Sequence, residues 1–147
     1  MRDFLEKLAS KSPTPGGGAA AAVTGAMAAA LVEMVVNLTE GLKLDTKNLR
    51  GDLLKLADED CRAFDAVMTA YKSKVKIKEA LQRAIEVPEE TKRLAKEVEK
   101  LARIAVKKGN KNAISDAKTA IYLAQAAQRG AGENIKINKT LLKKLNA

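Results

Sequence analysis

Between Gly16 and Ala30 the chain reads GGGAAAAVTGAMAAA, and twelve of those fifteen residues are glycine or alanine. Such a segment has little to offer a pleated sheet, which is stabilised by branched and aromatic side chains. It suits a helix whose backbone comes close to its neighbours. Ala22, Gly25, Ala26 and Ala29 recur at spacings of three and four, which permits short interaxial distances. A helix is therefore expected from about Ala19 to Glu40, stopping at Gly41. The stretch Ala19–Val36 is also the one transmembrane candidate, but it is short and carries Glu33, so it reads as a buried helix of a water-soluble bundle. Nothing resembles a signal peptide, and a cytoplasmic location is expected.

Composition agrees with an α-helical reading. Aromatics are 3% of 147 residues and there is no tryptophan, so the core has to be aliphatic and rich in alanine. This length fits one domain, residues 1–147, with a real core. Cys61 is the only cysteine, which excludes an internal disulfide framework and fits a reducing compartment. Histidine is absent. The commonest metal ligand and the commonest general base are thus missing, and no metal site is expected. Acid–base chemistry near neutral pH would fall to carboxylates, lysines, hydroxyls, the thiol or the backbone.

The remaining periodicities give more helices. Asp3–Ala9 forms a short one, followed by a loop over Ser10–Gly18. A third runs from near Thr46 to Tyr71 with Leu49, Leu53, Leu56, Ala63, Phe64, Val67 and Tyr71 as its apolar stripe. A short basic helix with Ile77, Leu81 and Ile85 inward follows. Pro88, with Glu89 and Glu90 behind it, reads as the start of the next helix, which ends at Lys107-Lys108-Gly109. Another spans about Ala113 to Arg129 and stops at Gly130. The segment NIKIN is expected to be extended, and Lys139–Leu145 to be a basic terminal helix. The fold class is all-α, a compact helical bundle of about five to seven helices.

Three groups of residues could carry chemistry. In LADEDCRAFDAV, Asp60 falls on the apolar stripe, four residues after Leu56 and four before Phe64, whereas Asp58 and Asp65 point away. A carboxylate there needs a partner, and burial lifts its pKa toward the range useful for proton transfer. A lysine from another helix could equally pair with it. In GNKNAISDAKTA, Asn112, Ser115 and Asp116 cluster at a helix start, either as caps or as pocket residues converging with Asp60. In SPTPGGG, the glycines strip side chains from the point where a helix offers free N–H groups. This makes either a cradle for an anion or carbonyl, or a tight packing corner. No Gly-Lys-Ser/Thr follows, so it is not a phosphate-binding Walker loop. Asn37 and Thr39 close the second helix. Cys61, beside the stripe and without a histidine to activate it, reads as a small core residue.

SPTPGGG leading into AAALVEMVVNLT, then LADEDCRAFDAVMTAY, then EVP…KKGNKNAISDAKTA…RGA and NIKIN together resemble the cyclodeaminase/cyclohydrolase family over nearly the whole chain. That family includes the C-terminal domain of formiminotransferase-cyclodeaminase and stand-alone methenyltetrahydrofolate cyclohydrolases. The resemblance implies an all-α homodimer acting on a tetrahydrofolate derivative. It would close 5-formiminotetrahydrofolate with loss of ammonia, or open the 5,10-methenyl compound with water. It implies Asp60 as the general acid/base. Ser12, Thr14, Pro15, Gly16, Gly17, Gly18, Asn37, Asn112, Ser115 and Asp116 would bind substrate, and no cofactor is implied beyond the folate. Departures from the family pattern are Ala19 in place of a serine after the glycines, shortened segments before LADED and before KEAL, and an early end after NIKIN.

The formal charge is +9, with twelve basic and six acidic residues in Lys72–Lys108 and four lysines without an acid in Asn134–Ala147. Such a field attracts anions, including a folate's glutamate tail. Two other readings remain: a helical family member that binds folate or protein without turnover, and a nucleic-acid binder. The second is disfavoured by the scarcity of aromatics for stacking and by the absence of any recognised motif. A solvated Lys/Glu-rich surface accounts for the charge as well.

Overall fold

The computed structural model describes all 147 residues. It contains five α-helices and no strand: α1 (Arg2–Leu8), α2 (Gly17–Asn37), α3 (Leu49–Ser73), α4 (Ile77–Lys108) and α5 (Ile114–Asn146), with a 3₁₀ turn at Lys111–Ala113 before α5. The all-α bundle is the fold expected from the sequence.

The alanine-rich α2 is the central element and packs against α3, α4 and α5. It is long and apolar enough to cross a membrane, yet eleven of its twenty-one residues are buried against the other helices. Its small residues set the spacing. A Cβ on Gly25 would meet the Leu53 methyls at 3.2 and 3.4 Å and Ala127 Cβ at 3.5 Å, and one on Gly130 would meet Ala21 Cβ at 3.1 Å. The facing stripe of α5 is alanine throughout: Ala117, Ala120, Ala124, Ala127 and Ala131, at spacings of three and four. Leu53, Leu81, Val32, Val35, Val87 and Val98 fill the wider spaces.

Several boundaries differ from the sequence expectation. The two helices expected on either side of Pro88 are one, and Pro88 lies buried inside α4. Proline has no N–H for the carbonyl four residues earlier, which is that of Ala84. Asn138 of α5 supplies the replacement, its Nδ2 donating to Ala84 O at 2.8 Å. Likewise Gly130 does not end a helix and NIKIN is not extended; both lie within α5. Gly130 is needed there for the close approach to Ala21, and contacts with α2 and α4 outweigh the helix-weakening tendency of glycine and isoleucine. The helix after NLTEG starts at Leu49 rather than Thr46, after Asn48 in a left-handed conformation (φ 65°). Phe64 and Tyr71, expected in the core stripe, are 38% and 41% exposed. The buried stripe of α3 runs instead through Leu49, Leu53, Leu56, Ala57, Ala63, Val67 and Ala70, and half-buried Asp60 lies on it between Ala57 and Ala63.

Candidate active site around Asp60

The first turn of α2 is as bare as the sequence suggests. Gly16 precedes the helix with no side-chain cap, so the N–H groups of Gly17, Gly18 and Ala19 have no partner within the helix. Asp60 fills this place from α3. Its carboxyl lies so close to Gly18 that any Cβ there would overlap it, and the Ala19 backbone N–H is directed at it. The glycine cradle is therefore occupied by a carboxylate of the chain itself.

Two effects compete on this acid. Desolvation by burial raises its pKa, and the Ala19 N–H lowers it; burial wins and the pKa lies above the ordinary carboxylate value. No lysine or arginine pairs with it among the ion pairs of the chain. The ion-pair alternative for Asp60 is thus not what the fold provides. An unpaired, partly desolvated carboxyl can take up and return a proton near neutrality more readily than a solvated one.

Asp60 opens onto a cavity of about 280 Å³ between α3, α4 and α5. From α3 come Ala63, Phe64, Val67, Met68 and Tyr71; from α4, Ala84; from α5, Asn134, Ile137, Asn138 and Leu141. One wall is thus apolar and aromatic, and the other carries two carboxamides one turn apart. A largely apolar hollow with few converging polar groups is the usual form of a small-molecule site. A second hollow of about 480 Å³ lies under α1, lined by Phe4, Pro15, Val23, Leu54, Asp58 and Cys61 among others. It is larger but lacks a desolvated acid. Its Cys61 thiol is pushed up, first by burial and then by Asp60, Asp58 and Asp65, so it stays protonated and poorly nucleophilic. No group of three or more Cys, Asp or Glu side chains is placed to hold a metal ion.

The residues singled out in the sequence fall into two sets. Gly18 adjoins Asp60, whereas Gly17 lies beside Asn134 and Gly16 is the residue before the helix. Ser12 and Thr14 lie in the preceding loop, where Ser12 Oγ donates to the Thr14 carbonyl at 2.7 Å, and Pro15 faces the hollow under α1. Asn37, Asn112, Ser115 and Asp116 do not converge with Asp60 in one chain. They sit at the opposite end of the bundle, because α2 runs nineteen residues from Gly18 to Asn37, roughly 28 Å at 1.5 Å per residue. Nor is Asn112 or Ser115 the cap. Asn110 is: its Oδ1 accepts from Asn112 N at 2.9 Å, its Nδ2 donates to Leu38 O at 3.0 Å, and its own N–H donates to Thr39 Oγ1 at 2.8 Å. These bonds fasten the α4–α5 connection to the end of α2.

Sequence reasoning missed Asn134, Asn138, Phe64 and Tyr71 as cavity residues. The signal for the asparagines was present. The α5 stripe that reads Ala117, Ala120, Ala124, Ala127, Ala131 continues in the same rhythm to Asn134, Asn138 and Leu141. Two half-buried polar residues therefore continue a buried stripe, as half-buried Asp60 does on α3.

The chain matches the formiminotransferase-cyclodeaminase family over residues 1–146. It is 43% identical over 162 aligned positions to the methenyltetrahydrofolate cyclohydrolase of Methylorubrum extorquens, covering 94% of this chain and 78% of that protein. It is 30% identical to the formimidoyltransferase-cyclodeaminase of Mus musculus, again over 94% of this chain but only 30% of the mouse protein. In structure it resembles the formiminotetrahydrofolate cyclodeaminase of Thermotoga maritima, with a TM-score of 0.90 and 34% identity over 97% of this chain and 79% of that one.

Proposed function

The chain belongs to the formiminotransferase-cyclodeaminase family, and on that premise we propose that it is a folate one-carbon enzyme whose Asp60 is the general acid/base. The observation that carries the proposal is the unpaired Asp60 carboxyl, raised in pKa by burial, at the head of a hollow walled by Phe64, Met68 and Tyr71. Those side chains suit the flat face of a reduced pterin ring. In the cyclohydrolase direction, Asp60 takes a proton from water as its oxygen bonds to the methenyl carbon. It returns that proton to N5 as the C–N5 bond breaks. The hydroxyl on the former methenyl carbon loses its own proton to solvent as the C=O forms, so the cationic methenyl compound and water give the neutral 10-formyl compound and one released proton. In the cyclodeaminase direction, it takes the N10 proton as N10 bonds to the carbon of the protonated formimino group, whose nitrogen becomes an amino group. It then delivers that proton to the departing nitrogen, which leaves as ammonia. Both routes pass through one tetrahedral carbon bonded to N5 and N10, so a single proton carrier serves either. Neither needs a group beyond the substrate, water and the carboxyl.

The same reading extends to a homodimer. The outer face of α2 carries Thr24, Met27, Leu31, Met34 and Leu38 at helical spacing, with Met27, Met34 and Leu38 exposed. Twofold pairing through this stripe with the α2 helices antiparallel would bring the Asn37 and Asn112–Asp116 end of one subunit to the Gly16–Asp60 end of the other. That would unite the two sets of residues that a single chain keeps apart.

The test of the activity is the loss of 5,10-methenyltetrahydrofolate absorbance with purified protein, beside the Asp60→Asn variant. Loss that vanishes in the variant supports the hydrolase route. Without it, ammonia release from 5-formiminotetrahydrofolate is measured, and absence of both overturns the proposal.

A further inference from the structure

The carboxamide of Asn138 is held by an unusual partner. Pro88 leaves the Ala84 carbonyl without its helical donor, and Asn138 Nδ2 reaches across from α5 to take that place at 2.8 Å. This contact fixes which way the amide faces, since its oxygen turned toward a carbonyl would be repelled. The Oδ1 atom therefore points away from Ala84. It accepts no hydrogen bond within the chain, yet no buried side-chain oxygen or nitrogen lacks a partner. Oδ1 is therefore accessible, and Asn138 lines the cavity together with Asp60 and Asn134. Two observations thus combine: a half-buried polar residue continuing the alanine stripe of α5, and a cavity-lining amide whose nitrogen is held and whose acceptor is free.

We propose that Asn138, held by the carbonyl that Pro88 frees, is a specificity-determining residue of the Asp60 pocket, presenting a fixed hydrogen-bond acceptor to a ring N–H or amino group of the substrate's pterin. The inference rests on the folate reading above. The pyrimidinone edge of a reduced pterin carries both a ring N–H and an exocyclic amino group, which are donors that apolar walls such as Phe64 and Met68 cannot satisfy. A pre-oriented acceptor loses little entropy on binding and would position the ring with its one-carbon unit toward Asp60. Asn138 does not touch the reacting atoms, so its contribution appears in binding.

The experiment is steady-state kinetics and thermal unfolding of the full chain on whichever of the two folate substrates the wild type turns over. The variants are Asn138→Ala, Pro88→Ala and the double variant. Residue 88 as alanine restores a helical N–H to the Ala84 carbonyl, so it separates the two roles of Asn138. Asn138→Ala alone is expected to lower Tm and raise KM about tenfold with kcat within about threefold. In the Pro88→Ala background the same change should cost little Tm while the rise in KM persists. A KM that stays unchanged in both backgrounds while Tm falls overturns the proposal and leaves Asn138 as the partner of the proline alone. A wild type inactive on both substrates overturns the folate reading itself, and this inference with it.

Discussion

Gly18 and Asp60 share one space: the carboxyl of Asp60 occupies the volume that a side chain at position 18 would fill. The glycine is thus required by a functional group on another helix rather than by its own backbone, which is helical. Gly18→Ala is expected to push the Asp60 carboxyl out of the first turn of α2. Activity should fall at least tenfold, with a stability cost of about 1–3 kcal/mol typical of overpacking. Gly17→Ala is the control. Its Cβ would lie 3.7 Å from the nearest neighbour, Asn134 Nδ2, an ordinary contact, so near wild-type stability is expected. Kinetics and thermal unfolding of the two variants check this; equal effects would refute the shared-space argument.

The raised pKa of Asp60 has a definite sign in stability. A carboxyl whose folded pKa exceeds its unfolded one favours folding most where it is protonated in both states. That contribution is lost as pH rises from the ordinary carboxylate value through the raised one. Asp60→Asn cannot ionise, so it removes the loss. It should be at least as stable as wild type at neutral pH, with the advantage disappearing in acid, while activity falls by about 10²–10⁴. Thermal unfolding across pH, set beside turnover, distinguishes an acid kept for chemistry from one kept for stability. A variant less stable at neutral pH would mean that the bond to Ala19 outweighs burial.

Glu99 has the opposite sign. Its carboxylate accepts from Gln128 Nε2 at 2.6 Å, Arg103 at 2.6 Å and Gln125 Nε2 at 3.0 Å, tying α4 to α5, and the Gln128 bond foremost lowers its pKa. Its stabilisation is present above the unfolded carboxylate pKa and is lost as pH falls through the lowered one. Glu99→Gln should therefore lower Tm at neutral pH and converge with wild type in strong acid. Unfolding curves that stay parallel down to acid pH would count against it.

Much of the architecture was legible because one rhythm governs it. Spacings of three and four place Leu49, Leu53 and Leu56 on α3 and the alanines of α5 on buried faces, and Asp60 was visible as the polar residue on such a face. What the sequence hid were the places where local signals yield to packing. Pro88 and Gly130 punctuate a helix in isolation, but the donor that rescues Pro88 comes from Asn138, fifty residues away. The close approach that requires Gly130 comes from Ala21. Phe64 and Tyr71 looked like core because large apolar residues usually are, and only the third wall from α5 shows that they border a hollow.

The two glycines inside α5 separate packing from propensity. A Cβ on Gly130 would meet Ala21 Cβ at 3.1 Å, tighter than ordinary contact, whereas one on Gly132 meets nothing within 4 Å. Gly132→Ala should stabilise by about 0.5–1 kcal/mol through helix propensity alone. Gly130→Ala should lose that gain to the forced separation of α2 and α5 and be net destabilising. Denaturant titrations of both variants decide the point, and a stabilised Gly130→Ala would show that the α2–α5 contact can relax.

The proposed twofold pairing makes a prediction that no single-chain site shares. If the Asn112–Asp116 end of one subunit completes the Asp60 end of its partner, Asp60→Asn and Asp116→Ala remove different halves of the same site. Each alone should have little activity. Unfolded together in equal amounts and refolded, half of the dimers pair unlike subunits, and each of those carries one intact site and one doubly altered one. Activity should then return to about one quarter of wild type for random pairing. A site built wholly within one chain gives instead the mean of the two variants, with no recovery on mixing. Disrupting the stripe with Met27→Glu and Met34→Glu should yield monomers by light scattering and abolish the recovery, because the partner's polar end can no longer reach the glycine turn.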